Sequence, residues 1–491
     1  MSLLKLQNGS DVRGIAVAGV PGEEVNLTPE AVSKIAYAFK AWLKNKFGKE
    51  ELSLAIGRDS RISGETLVQA AIKGMKGQNT TIFNCEMAST PAMFMSTLDD
   101  EINADGAIMI TASHLPFNRN GLKFFTKDGG ADSKDIKAIL DIAETQKPQY
   151  EDNGRVEKFD FISKYAEALV NKIKESTGED KPFENCKIIV DAGNGAGGFF
   201  AEKVLQPLGA DTEGSLYLNP DGNFPNHQPN PENQEAMDAI CKGVLDSNAD
   251  LGIIFDTDVD RAAVVDRNGK SINRNALIAL MSAIVLKDYP NSTIVTDSVT
   301  SVGLKKFIES KGGKHHRFMR GYKNVINEAI RLNKEGTEAH LAIETSGHCA
   351  LKENYFLDDG AYLVTKVLIL FAELRKEGKD LEDLIGSLEE PVESIEVRGK
   401  INDQDFKAYG NQVLEDFRDY MNTVEGWSAE TPNYEGVRVN CEKEEGWCLV
   451  RLSLHDPVMV INIESNLSDG CEKIEKKLFD FLSKYKALSF V

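Results

Sequence analysis

The stretch Leu251-Gly-Ile-Ile-Phe255, Asp256-Thr-Asp-Val-Asp-Arg261, Ala262-Ala-Val-Val265 reads as a buried strand, a six-residue polar loop and a second apolar run. Asp256, Asp258 and Asp260 stand at i, i+2 and i+4, and three such carboxylates repel one another unless a cation sits among them. Their oxygens suit a hard divalent ion. Mg2+ fits best, because it takes few carboxylates and leaves room for phosphate. An EF-hand is excluded: its sixth position requires Gly and its twelfth Glu, where this chain has Arg261 and Arg267. A solvated acidic turn is the plainer alternative. The loop is a metal site if something phosphorylated lies beside it.

Two other stretches echo this one. Ala104-Asp-Gly-Ala-Ile-Met-Ile-Thr-Ala-Ser-His114 and Ala339-His-Leu-Ala-Ile-Glu-Thr-Ser-Gly-His348 also place polar residues just after a small-residue apolar strand. Ligands of open parallel sheets collect outside the carboxyl ends of the strands. The economical reading is three related α/β domains, each donating one loop to a shared cleft; chance likeness among buried strands is the alternative. Strands and helices alternate accordingly, with strands expected at 52–56, 81–83, 107–110, 188–190, 253–255, 293–295 and 341–343 and helices at 63–73 and 161–174. The last hundred residues differ. A helix over 403–421 precedes three strand-like runs, 437–440, 447–452 and 458–463, which reads as a separate α+β domain. The expected domains are 1–152, 153–268, 269–389 and 390–491.

Composition narrows the class. The 491 residues suit three or four domains. A net charge of −20 argues against general nucleic-acid binding, which needs a basic face. A small anionic ligand then requires basic residues gathered locally. Seven cysteines without a C-x-x-C pair suggest reduced thiols in a cytosol. The N-terminus lacks a signal-peptide core, and the longest apolar run, 276–286, is too short to span a bilayer. A cytoplasmic enzyme without a membrane partner is the expectation.

The loop after the strand expected at 107–110, Thr111-Ala-Ser-His-Leu-Pro-Phe-Asn-Arg-Asn-Gly-Leu-Lys123, places Ser113 at a strand end beside His114. A serine hydroxyl is a poor nucleophile until a base or a metal activates it. Once phosphorylated it carries about −1.5 to −2 charge, which suits a cation held by the three aspartates. A plain turn serine and a solvated Lys123 are the alternatives. Glu344-Thr-Ser-Gly-His348 offers a carboxylate, a hydroxyl and an imidazole, a set able to clamp vicinal sugar hydroxyls. Three basic clusters are candidates for phosphate, because arginine binds two oxygens at once. They are Arg13-Gly14, Gly57-Arg58-Asp59-Ser60-Arg61, and Arg451 with Ser453.

Taken in order, Thr-Ala-Ser-His with Asn-Gly-x-Lys, then Asp-x-Asp-x-Asp-Arg, then Glu-x-Ser-Gly-His resembles the α-D-phosphohexomutases, and the resemblance runs from Gly9 to near Glu464. It implies four domains around a deep central cleft. It further implies that Ser113 carries a phosphoryl group and binds Mg2+ with Asp256, Asp258 and Asp260. Glu344 and Ser346 would hold sugar hydroxyls, Lys123 and His348 would assist proton transfer or orientation, His114 would belong to the catalytic set beside Ser113, and Arg13 and Arg261 would flank the transferring group. A hexose 1,6-bisphosphate would act as intermediate and activator, and the partners would be small phosphosugars. Turning that intermediate requires loosening, so the last domain is expected to swing near Pro391.

The sequence departs from the family's pattern at three places. Leu115-Pro116 replaces the usual Asn-Pro. Arg451-Leu-Ser-Leu-His-Asp-Pro457 keeps Arg451, Ser453 and Pro457 but places Leu454 and His455 where the family has smaller or hydroxyl residues. Met319 stands where a lysine is common, with Arg317, Arg320 or Lys323 as substitutes. These changes bear on substrate identity and phosphate affinity, and glucose, mannose and amino-sugar phosphates stay open. Three rival readings differ in kind. A haloacid-dehalogenase-like phosphatase would use Asp256 as nucleophile, but leaves the Ser113 and Glu344 loops unexplained. A dinucleotide enzyme would use Gly193-Asn-Gly-Ala-Gly-Gly198, but lacks a well-placed acidic residue downstream. A non-catalytic sugar-phosphate-binding protein would owe its silence to the 451–457 loop.

Overall fold

The computed structural model describes residues 2–453 and 456–490, so Leu454 and His455 of the altered loop lie outside the described residues. The chain forms two compact units. The first comprises residues up to Leu277 together with Ser346–Asp383; the second comprises Ile278–Thr345 and the residues from Leu384 onward.

In the first unit, strands Leu52–Arg58, Thr80–Met87, Gly106–Ile110 and Arg155–Lys158 run parallel, and Arg119–Thr126 and Asp11–Ile15 extend the sheet antiparallel. Every residue of Gly106–Ile110 is buried, as befits a strand covered on both faces. Helix Pro29–Phe47 covers one side. Thr28 caps it by accepting from Ala31 N, Pro29 opens its first turn, and Gly48 ends it in the left-handed region. It buries Ile35, Phe39 and Leu43 with Leu54, Ile108 and Phe124 in one core.

A smaller sheet carries the acidic loop. Leu251–Phe255 pairs parallel with Ile188–Asp191 and antiparallel with Ala262–Asp266, with Phe255 opposite Ala262. Residues 256–261 therefore close a tight hairpin rather than follow a crossover strand. The Gly-rich stretch at 193–198 packs beneath this loop. A Cβ on Gly195 would stand 2.7 Å from the Thr257 carbonyl oxygen, and Ala196 N donates to that same oxygen at 2.8 Å. Gly195 thus serves close packing against the acidic loop.

The second unit holds the parallel strands Lys314–Arg317, Thr293–Thr296 and Ala339–Ile343. It also holds an antiparallel sheet ordered Trp427–Ala429, Val437–Cys441, Gly446–Leu452, Val458–Ser465, Glu393–Ile401, Leu488–Phe490. The three α/β domains and the C-terminal α+β domain anticipated from the sequence are present. The helix expected from residue 403 starts at Phe406, because Asp405 accepts from Ala408 N and caps it there. No helix among the described residues is long and apolar enough to cross a membrane, and all seven cysteines are free thiols.

A polar seam joins the C-terminal sheet to residues 298–301 within this unit. The Arg438 guanidinium lies 3.5 Å over the Trp447 ring and donates to Ser298 O at 2.7 Å, Thr300 O at 3.0 Å and Glu430 at 2.6 Å. Arg317 shares Glu430 at 2.5 Å and donates to Ser301 O at 2.7 Å. A swing of the last domain near Pro391 therefore has to undo these bonds.

Glu464 sits in the same seam, where its Oε2 accepts from Trp447 Nε1 at 2.8 Å. Burial pushes its carboxyl up to about 7, against the pull of Arg438. Its folded pKa thus exceeds its unfolded one, so its stabilising contribution is complete below the unfolded value and is lost as pH rises through 7. Glu464→Gln, which keeps an acceptor for Trp447, is expected to be about 1–3 kcal/mol more stable than wild type at pH 8.5. Urea denaturation at both pH values should show the gap shrinking at pH 5.5; a constant gap would refute the assignment.

Candidate active site

Ser113 lies three residues beyond strand Gly106–Ile110 in a left-handed conformation (φ 51°) that is costly for a residue with a Cβ. The surroundings hold it there. Thr111 Oγ1 accepts from Ser113 N at 2.9 Å. From beneath, the buried Arg61 guanidinium donates to the carbonyls of Ser113, Leu115 (2.6 Å), Pro116 (2.7 Å) and Arg119 (3.0 Å). Asp59 pairs with Arg61 at 3.3 Å, and the Phe224 ring lies 5.2 Å away. Burial pushes the Asp59 carboxyl up to about 6, even against the pull of Arg61. The sequence offered Arg61 as a phosphate ligand; its donors are spent on the serine loop instead, and Arg58 is bound to Glu65 and to Asp59 O.

The acidic loop meets Ser113. Asp256, Asp258 and Asp260 are fully buried, with candidate ligand oxygens within 4.8 Å of one another. The Ser113 hydroxyl lies 3.1 Å from Asp256 Oδ2. Arg261 reaches Asp256 Oδ2 at 3.0 Å, Ser113 Oγ at 3.2 Å and Asn230 Oδ1 at 3.0 Å. Lys123 Nζ lies 2.5 Å from Asp260 Oδ2 and 3.6 Å from Asp258 Oδ2, which also accepts from Thr90 Oγ1 at 2.5 Å. One oxygen each of Asp258 and Asp260 is buried without a hydrogen-bond partner among the described residues. The cations Lys123, Arg261 and His348 face this cluster, yet those two acceptors stay unmet among the described residues. That donor set can hold a divalent ion. Burial and the neighbouring Asp260 push Asp256 well above its ordinary range, while Lys123, His348 and Arg261 outweigh burial and hold Asp260 below its own.

The two histidines differ. Burial, followed by Arg261 and Arg13, drives His114 down to about 2, so its ring is neutral. Its Nδ1 accepts from Arg261 at 2.7 Å and lies 3.3 Å from Ser113 Oγ, which leaves that nitrogen little basicity to offer the serine. His348 is only partly buried, and Asp358 (2.5 Å from Nδ1) and Asp260 outweigh its desolvation and raise it to about 9, so it is a charged donor at neutral pH. Arg13 is paired with Asp11 at 2.8 Å. Gln228 donates to the His114 carbonyl at 2.6 Å. Sequence reasoning missed Thr90, Asn230, Gln228 and Asp358; only Asp358, in the pair Asp358-Asp359 soon after His348, left a visible signal.

The second unit carries its own polar cluster. Glu344 accepts from Gly321 N at 2.6 Å, and Asp297 accepts from Thr345 N (3.1 Å) and Oγ1 (2.6 Å). Glu435 accepts from the Ser298 hydroxyl and from Arg320 N at 3.0 Å, and lies 3.8 Å from Arg451 Nη1. Arg451 is buried, Ser453 follows it at the strand end, and Lys323 lies in the first turn of helix Tyr322–Lys334. Ser346 falls in the first unit and is buried.

Known proteins agree with this layout. Models of the phosphoglucomutase/phosphomannomutase alpha/beta/alpha domains I, II and III match residues 5–150, 163–269 and 273–392. A phosphoglucomutase/phosphomannomutase of Thermococcus kodakarensis is 31% identical over 473 residues, 95% of each chain. A phosphomannomutase/phosphoglucomutase of Pseudomonas putida is 28% identical over 451 residues, 90% of this chain and 91% of its own. The crystal structure of a phosphoglucomutase/phosphomannomutase family protein from Burkholderia thailandensis has a TM-score of 0.79 at 25% identity, covering 98% of this chain and 97% of that one. A buried serine set against three aspartates, on a chain matched over 95% of its length, makes this protein a hexose-phosphate mutase that belongs to the phosphoglucomutase/phosphomannomutase family.

Proposed function

We propose that the protein interconverts glucose and mannose 1-phosphates and 6-phosphates through a phosphoryl group carried on Ser113. The observation that carries this is the placing of Ser113 Oγ 3.1 Å from Asp256 and 3.2 Å from Arg261, beside two unmet carboxylate oxygens. Mg2+ held by Asp256, Asp258, Asp260 and the phosphorylated Ser113 would neutralise charge on the transferring group. The phosphoryl group passes from Ser113 to the free 6-hydroxyl of a hexose 1-phosphate: the P–O bond to serine breaks, a P–O bond to the sugar forms, and the hydroxyl proton ends on the serine oxygen. The hexose 1,6-bisphosphate then turns round and returns its 1-phosphoryl group. Arg261 and Arg13 flank the group in flight. Lys123 and the charged His348 orient the sugar oxygens, and His114 holds Arg261. Glu344 and Ser346 accept from and donate to sugar hydroxyls, while Arg320, Lys323, Arg451 and Ser453 take the phosphate that is not transferred.

A coupled assay of glucose 1-phosphate conversion, with Mg2+ and a trace of glucose 1,6-bisphosphate, tests the reading. Turnover of both glucose and mannose 1-phosphate supports it; turnover of glucosamine 1-phosphate alone would move the protein to the amino-sugar mutases. Chelation of the metal is expected to stop the reaction. Adding Mg2+ at a hundredfold excess over its dissociation constant should stabilise the metal-free protein by about 2.7 kcal/mol. Thermal unfolding of wild type and Asp258→Asn checks this, since the rise should be confined to wild type.

A further inference from the structure

One acidic side chain stands between two of the proposed phosphate ligands, Arg320 and Arg451. Glu435 lies in the turn between strands Trp427–Ala429 and Val437–Cys441. One of its carboxylate oxygens accepts from the Ser298 hydroxyl and from Arg320 N at 3.0 Å, and the other lies 3.8 Å from Arg451 Nη1. A hydroxyl, a backbone amide and a guanidinium converging on one anion are the donors that a phosphate also uses. The match is imperfect. At 3.8 Å the guanidinium contact is too long for a direct hydrogen bond. Arg451 is only 6% exposed, and its Nε, itself buried, has no hydrogen-bond partner among the described residues. A planar carboxylate thus leaves part of this donor set unused, whereas a tetrahedral phosphate brings more oxygens and more charge to it. The Oδ1 of Asp297 is also buried and has no hydrogen-bond partner among the described residues.

We propose that Glu435 is an internal stand-in for the substrate's phosphate: it occupies the Arg451–Arg320–Ser298 donor set at rest and must be displaced before phosphate binds, and so sets the affinity of that subsite. The inference rests on the phosphate-subsite reading above. Its opposite is that Glu435 orders Arg451 for binding, in which case removing it would weaken phosphate rather than tighten it. The sign of one measurement separates the two.

The experiment is calorimetric titration of inorganic phosphate into the full chain with Mg2+, for wild type, Glu435→Gln, Glu435→Asp and Arg451→Ala. If the carboxylate holds the site about nine-tenths of the time, the apparent dissociation constant is raised about tenfold. Glu435→Gln should therefore bind phosphate about tenfold more tightly, with KM for hexose 1-phosphate falling in parallel. Unchanged or weaker phosphate binding in a Gln variant with wild-type circular dichroism overturns the proposal. Should the Gln variant fail to fold, Glu435→Asp, too short to reach both Ser298 and Arg320, carries the same criterion. Folding that demands the full glutamate makes the residue structural and overturns it too. Arg451→Ala isolates the underlying reading. If it binds phosphate as wild type does, the subsite itself is misassigned; if it loses phosphate while Glu435→Gln does not tighten, only the stand-in fails.

Discussion

Ser113→Ala is expected to lose on the order of ten-thousand-fold or more in turnover, the scale on which removal of a nucleophile acts, while sugar-phosphate binding stays within about threefold because the proposed phosphate ligands are untouched. The hydroxyl is the oxygen that both Asp256 and Arg261 address. Intact-mass spectrometry after incubation with glucose 1,6-bisphosphate gives a second readout. Wild type should gain one phosphoryl group and the alanine variant none. Phosphorylation of the variant, or of an acyl group cleaved by hydroxylamine, would return Asp256 to consideration as the carrier.

Arg61→Met is expected to destabilise the protein by about 3–5 kcal/mol, because it strands the buried Asp59 without its cation. Folded material should turn over about a hundredfold more slowly, since a loop misplaced by about 1 Å costs that much. Arg61 bonds to no side chain of a proposed metal or substrate ligand; it fastens four carbonyls of the Ser113 loop, that of Ser113 among them. Substitution with Lys keeps the charge but offers fewer donors, so it should recover stability more than rate. Urea denaturation and steady-state assays on the three proteins would show that split. Equal recovery of both would make Arg61 a plain ion-pair partner.

The strand ends were readable because each function is written in consecutive residues: an apolar run, then Ser113, Asp256 or Glu344. The hairpin at 251–266 was half legible, since both runs showed but not their antiparallel pairing, which depends on Val259 adopting φ 66°. Arg61 was misread because its partners are backbone carbonyls, and carbonyls leave no trace in sequence. Asn230 reaches the site from a loop whose composition is that of any turn, and Thr90 from the start of the short helix Thr90–Met95. Strand Glu393–Ile401 escaped notice because it alternates Ile and Val with charged residues and buries little until its end. The Asp358–His348 pair needed the third dimension to connect a titratable ring to the carboxylate that charges it.

The first unit is discontinuous: residues 346–383 return to it after the chain has left at Leu277. Helix Gly360–Lys376 brings Leu363, Val364, Val367 and Leu368 to its core, and Gly360 fits against the Arg261 backbone so closely that a Cβ would stand 2.7 Å from it. During synthesis the acidic loop therefore waits for more than a hundred later residues (277 to 383) before its support is complete. A nascent chain ending near residue 277 exposes the apolar groove meant for that helix, and it is the species most prone to aggregate or to recruit a chaperone on the ribosome. A fragment cut there is accordingly a poor route to an isolated metal-binding half, whereas co-expression with a 346–383 peptide supplies what the groove lacks.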